Sequence, residues 1–180
     1  MNAASDRHAV VVPGGNYGPQ AGLLAYVGEA VARRGARLEL IWWTPPPDRT
    51  LEERTPWVCE QVAPVVDGLA APLLIGKSLG SLAAAVAAER GLPGVWLTPL
   101  LTMSACVAAL RRATEPFLLV GGTADDFWDG ALARELTPYV LEVEGAGHGM
   151  LLPGPLARSA GVLGQVTTAV ETFLDEVVWR

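Results

Sequence analysis

A chain of 180 residues is long enough to bury a substantial core and suits one domain over 1–180. With 51% hydrophobic and only 18% charged residues, the composition excludes a disordered chain. A net charge of −6 leaves no basic surplus for a phosphate backbone, which argues against a nucleic-acid partner.

Short apolar, β-branched runs alternate with longer amphipathic ones. HAVVVPGG (8–15) predicts a first strand and 21–35 a helix ending at Gly35; RLELIWW (37–43) predicts a second strand. The loop TPPPDRT (44–50) follows, where consecutive prolines forbid helix and impose an extended path, as a wall of a site or a surface connection. A helix over about 51–69 comes next, then a strand at PLLIG (72–76) and a helix over 79–90 ending at Gly91. GVWLTP (94–99), FLLVGG (117–122) and YVLEVEG (139–145) read as strands, separated by helices at 102–113 and about 127–136. An amphipathic segment over about 158–178 closes the chain. Six strands separated by helices predict a three-layer α/β/α sandwich around a mainly parallel sheet, because each parallel connection needs a crossover.

APLLIGKSLGS (71–81) fits two incompatible motifs. Ala71 to Ser78 matches a relaxed phosphate loop, in which Lys77 and Ser78 would hold a nucleotide and its magnesium. Its four variable positions, Pro72 to Ile75, are themselves the apolar strand, so no flexible turn remains to curl around phosphates. Gly76-Lys77-Ser78-Leu79-Gly80 matches G-x-S-x-G, a strand, a sharp turn and a helix with Ser78 at the apex. Glycines two residues either side suit a place where strand and helix pass too closely for side chains.

A nucleophilic serine needs a base, and the base needs an acid to fix its tautomer. Of the two histidines, His8 stands at the very start of the first strand, at the wrong edge of the sheet. His148 lies in GAGHGM, directly after the last strand and at the carboxyl edge, which makes it the candidate base. The strand FLLVGG leads into TADDFWD; Asp125 is the chosen acid, with Asp126 its competitor and a candidate helix cap. Asp129 is expected inside the helix and solvated. Lys77, beside the nucleophile, is expected to be partly solvated with its stem packed down.

G-K-S-L-G, G-G-T-A-D-D and G-A-G-H-G, in that order, resemble the α/β-hydrolases, whose nucleophile, acid and base follow separate strands as Ser78, Asp125 and His148 do here. The resemblance spans nearly the whole chain and implies a minimal member, lacking the family's first antiparallel pair. It implies an oxyanion hole from the Leu79 N–H and a donor in the Pro13-Gly14-Gly15-Asn16 turn, either the Gly15 N–H or the Asn16 side chain, although the family's His is absent there. It also implies a serine hydrolase for a small-molecule ester or related acyl substrate, with no cofactor or metal. A catalytically silent binding or regulatory protein on the same scaffold is the alternative.

The interval from Thr98 to Pro116 holds one helix-sized segment and no room for a cap. An open cleft bordered by Asn16, Tyr17, Leu100, Met103, Phe127, Trp128 and Met150 is therefore expected, favouring acyl groups of about two to six carbons, since further methylenes left in water add no binding energy. Cys59 and Cys106 belong to no C-x-x-C pair or zinc-type cluster and are expected as buried, reduced thiols. MNAASDRHAVVV has no basic region leading into a long apolar stretch, and no run approaches the about 18 apolar residues of a membrane span, so a cytoplasmic location is the default.

Overall fold

A computed structural model describes residues 7–180; the reading that MNAASDRHAVVV carries no signal-type pattern rests in part on residues 1–6, which lie outside the described residues. Six strands form one sheet: β1 (His8–Val12), β2 (Arg37–Leu40), β3 (Leu73–Lys77), β4 (Gly94–Leu97), β5 (Phe117–Gly122) and β6 (Val140–Val143). Their order is β2-β1-β3-β4-β5-β6, and every pair is parallel, so the sheet is wholly rather than mainly so. The helices are α1 (Gly22–Ala32), α2 (Arg54–Asp67), α3 (Ala84–Arg90), α4 (Ser104–Arg112), α5 (Gly130–Leu136) and α6 (Leu156–Phe173).

Period-two alternation divides the strand side chains between two layers. Val10, Val12, Leu74, Trp96 and Leu119 face the layer with α2, α3, α4 and α5. Ala9, Val11, Leu73, Ile75, Val95, Leu97, Leu118 and Val120 face α1 and α6. Strands β3, β4 and β5 are buried along their whole length, which explains why they read as continuous apolar runs, whereas the edge strand β2 alternates between half-buried and exposed residues.

The predicted strands overran wherever the backbone changes its hydrogen bonding. β1 stops at Val12 because Pro13 has no N–H to give the ladder. β4 stops at Leu97 because Thr98 has φ 43°, outside the strand region. The expected helix over 79–90 is a 3₁₀ segment, Ser78–Ala83, before α3. Ser81 Oγ donates to the Ser78 carbonyl at 2.6 Å and competes for that acceptor with the backbone, which tightens the turn. At the other end α6 runs into a π-helical turn, Leu174–Val178.

From β1 the chain moves to β2 on one side and then to β3 on the other. The β1 and β3 loops consequently diverge at the carboxyl edge and leave a crevice between them, the place where open α/β sheets bind ligands. Residues 13–19 leave β1 there, and Ser78 follows β3.

Candidate active site

Ser78 sits at φ 52°, a left-handed conformation unusual for a residue with a side chain. The flanking glycines make that turn possible. A Cβ on Gly76 would collide with the Gly80 carbonyl, and one on Gly80 would strike the Val12 carbonyl of β1. The phosphate-loop reading fails on the same segment, since Leu73 to Gly76 are strand, paired with β1 on one side and β4 on the other.

Three loops bring the remaining groups to Ser78. After β6, Met150 N–H closes a turn on the Gly147 carbonyl at 2.8 Å and holds His148 at the carboxyl edge, where its side chain is 35% exposed. Its Nε2 lies 2.7 Å from Ser78 Oγ. After β5, Asp125 turns a fully buried side chain toward the same ring, with Oδ2 2.8 Å from His148 Nδ1. Its Oδ1 accepts the Phe127 N–H at 3.0 Å, which fixes the carboxylate. The arrangement places a proton acceptor against the hydroxyl and a carboxylate against the acceptor's far nitrogen. Asp126 is exposed, and neither it nor its expected cap role appears at the site. The cap of α5 is Asp129, expected within the helix, whose Oδ1 accepts the Leu132 N–H at 2.9 Å.

Leu79 is the second residue of the 3₁₀ segment, within its first turn, so its N–H has no partner inside the segment. The loop after β1 is folded by a bond from Gly14 N–H to the Tyr17 carbonyl at 2.9 Å. A Cβ on Gly14 would lie 3.8 Å from Ser78 Cβ, so this loop runs directly against the nucleophile candidate. Asn16 is exposed, and Gly15 half-buried.

Lys77 departs from expectation: it is 3% exposed. Its ammonium donates to Thr98 Oγ1 and to the His148 carbonyl, both at 3.2 Å, and stands 4.7 Å from the Tyr17 ring centre. Burial pulls its pKa down to about 8, opposed by the charge of Asp125. A hydrophilic residue in a variable motif position gave no signal of this; only the packed neighbours reveal it.

The expected cleft walls are divided. A groove of about 730 Å³ opens at the carboxyl edge, lined by the 13–19 loop, Trp42, Trp43, Thr44, Pro45, Pro47 and Arg54. Asn16 and Tyr17 line it. Phe127 instead packs on the His148 ring, centroids 5.3 Å apart. Leu100, Met103 and Met150 are 2%, 6% and 2% exposed and belong to the core, so they cannot border an open cleft. Leu100 is drawn inward by its N–H bond to Ser81 Oγ at 3.2 Å. Trp128 lies over Gly121 and donates from Nε1 to Glu142 at 2.7 Å, away from the groove. The sequence reading missed Trp42, Trp43 and Arg54. Two consecutive tryptophans at the carboxyl end of a strand were the available signal, because period two must send one of them outward; Trp42 is 64% exposed.

Cys106 is buried as expected, whereas Cys59 is only half-buried; both thiols are free. Among the described residues no group of His, Cys, Asp and Glu side chains could hold a metal ion, and no helix is long and apolar enough to cross a membrane.

No family model matches the chain, and no curated protein matches it by sequence. Solved structures do match. Est1E from Butyrivibrio proteoclasticus, with ferulic acid bound, is 16% identical over 99% of this chain and 92% of its own, with a TM-score of 0.72. A protein from Xanthomonas campestris pv. campestris assigned to the α/β hydrolase superfamily is 20% identical over 96% and 99%, with a TM-score of 0.78. A second protein from Xanthomonas campestris, an α/β serine hydrolase without a lid, is 14% identical over 95% and 84%, with a TM-score of 0.57. The chain thus has the α/β-hydrolase fold.

Proposed function

We propose that the protein is a serine hydrolase acting on a carboxylic ester or a related acyl bond through a covalent acyl-enzyme. The observation that carries this reading is the pair of contacts on His148, 2.7 Å to Ser78 Oγ and 2.8 Å to Asp125, at a crevice of the sheet. The α/β serine hydrolase without a lid among its structural neighbours supports it.

Ser78 Oγ attacks the acyl carbon as its proton passes to His148 Nε2. Asp125 holds the Nδ1–H tautomer and stabilises the imidazolium. The Leu79 and Gly15 N–H groups receive the negative oxygen of the tetrahedral intermediate, where donors already oriented stabilise the developing charge most effectively. His148 returns the proton to the leaving group, and water repeats the sequence to release the acid. A cytoplasmic location is part of this reading, supported by two unpaired thiols.

The lack of a cap also bears on the substrate. Between β4 and β5 there is only α4, so nothing in that interval covers the site. The substrate lies instead in the groove between the 13–19 and 42–47 loops, a volume suited to a small molecule. Ser78→Ala, assayed against a panel of acyl esters and thioesters, should lose at least about 10³-fold in kcat/KM while remaining folded. Near wild-type turnover by that variant would assign the chemistry to another residue.

A further inference from the structure

Thirteen residues line the groove, and Arg54 is the only one with a charged side chain. The rest of the wall is aromatic, proline or glycine, with Asn16 and Thr44 as the polar exceptions. Trp43 is fixed in place, since its Nε1 donates to the Gly14 carbonyl at 2.9 Å and its ring packs on Trp57 with centroids 5.0 Å apart. That bond joins the β2–α2 loop to the loop beside Ser78; Ser78 and His148 do not themselves line the groove, but Gly14 does, and a Cβ there would lie 3.8 Å from Ser78 Cβ. Trp42, largely exposed, forms a second aromatic wall.

Arg54 stands at the start of α2 with its guanidinium only partly satisfied. One nitrogen, Nη2, donates to the Pro46 carbonyl at 3.0 Å and braces the proline loop. Nε is buried with no acceptor. Among the described residues no carboxylate pairs with Arg54; the arginines at 33, 34, 90, 111 and 134 have one, and Arg37, Arg49, Arg112 and Arg158, which also have none, are exposed to water, whereas Arg54 is half-buried. A cation without a counter-ion at a groove wall, in a chain of net charge −6, is costly unless something supplies the negative charge. The planar fork of an arginine suits a carboxylate, and tryptophan faces suit a flat apolar body.

We propose that this groove selects substrates with an aromatic arm ending in a carboxylate, the aromatic body between Trp42 and Trp43 and the carboxylate on Arg54, while the scissile acyl group lies beside Gly14 and Ser78. The inference rests on the hydrolase reading for the role of the groove, but its test needs no turnover. 3-Phenylpropanoate and its uncharged isostere 3-phenylpropanamide are titrated into the wild-type protein, binding being read by calorimetry and by quenching of tryptophan fluorescence. The carboxylate should bind about tenfold more tightly than the amide, a preference that weakens as salt is raised. Arg54→Gln should bring the two within about twofold, and Arg54→Lys should keep part of the preference. Arg49→Gln, a charge change on the loop before α2 and outside the groove, should retain all of it. Equal affinity of the wild type for the two compounds overturns the inference, as does failure of both to bind saturably or a preference that survives in Arg54→Gln. Should Arg54→Gln fail to fold, the wild-type comparison and Arg54→Lys still decide. A protein that discriminates the pair but has no reactive Ser78 refutes the hydrolase reading alone; a reactive Ser78 with no discrimination refutes the present inference alone.

Discussion

At the scale of residues, Lys77 shows how a side chain can serve a site without touching the reacting atoms. Its ammonium is buried and holds the carbonyl of His148, so the position of the proposed base depends on a cation that the fold pays to bury. Lys77→Met preserves the volume and removes both hydrogen bonds. The kcat of the variant should fall about tenfold with a smaller change in KM, since a displaced base harms the chemical step more than binding. Stability should move differently. With the folded-state pKa lowered to about 8, the unfolded state binds more protons between that pH and the ordinary lysine range. Wild-type stability therefore gains from this group as pH rises from 8 toward 10.5, the ordinary lysine value, and is penalised by it below 8. Denaturant unfolding of both proteins should show the variant at its greatest relative stability below pH 8, the difference shrinking at higher pH. An unchanged kcat would separate Lys77 from catalysis. Ser78, Asp125 and His148 were legible in the sequence because each follows a strand at one edge and only one histidine lies there. Lys77 was not, since side-chain burial depends on neighbours distant in sequence, Thr98 and Tyr17 among them.

At the scale of elements, the loop between β2 and α2 forms one wall of the groove. Its path was partly legible: three prolines impose an extended, stiff segment, and it follows a strand at the carboxyl edge. Which side chains it turns toward the site was not, because β2 ends at Leu40 rather than Trp43, and the two tryptophans leave the ladder. The same limit misplaced Leu100, Met103 and Met150. A turn can be located by its residues, but the direction of its side chains follows from local bonds such as Leu100 N–H to Ser81. Trp42→Ala tests the assignment. Being largely exposed, Trp42 should cost less than about 0.5 kcal/mol in stability when removed. If it lines the substrate path, KM for aromatic esters should rise about three- to tenfold with kcat little changed, the signature of lost uniform binding. Steady-state kinetics that match wild type would place the substrate elsewhere.

At the scale of the whole molecule, the alternation of apolar strands and helices was enough to predict a layered parallel sheet, because each parallel connection needs its crossover. The strand order was not written in that alternation. It comes from the reversal between β1 and β3, which places the Gly14-Gly15 loop beside Ser78 and opens the crevice that the site occupies. The site is thus assembled by topology from residues 14 to 148, and in the hydrolase reading this assembly is what activates Ser78. A fluorophosphonate probe, which reacts only with a serine made nucleophilic by its surroundings, tests that claim directly, with intact mass and peptide mapping as the readout. One adduct per chain is expected, on Ser78, formed by the native protein but not after denaturation or in His148→Ala; a native protein that stays unlabelled, or an adduct on any other residue, would contradict the activation of Ser78.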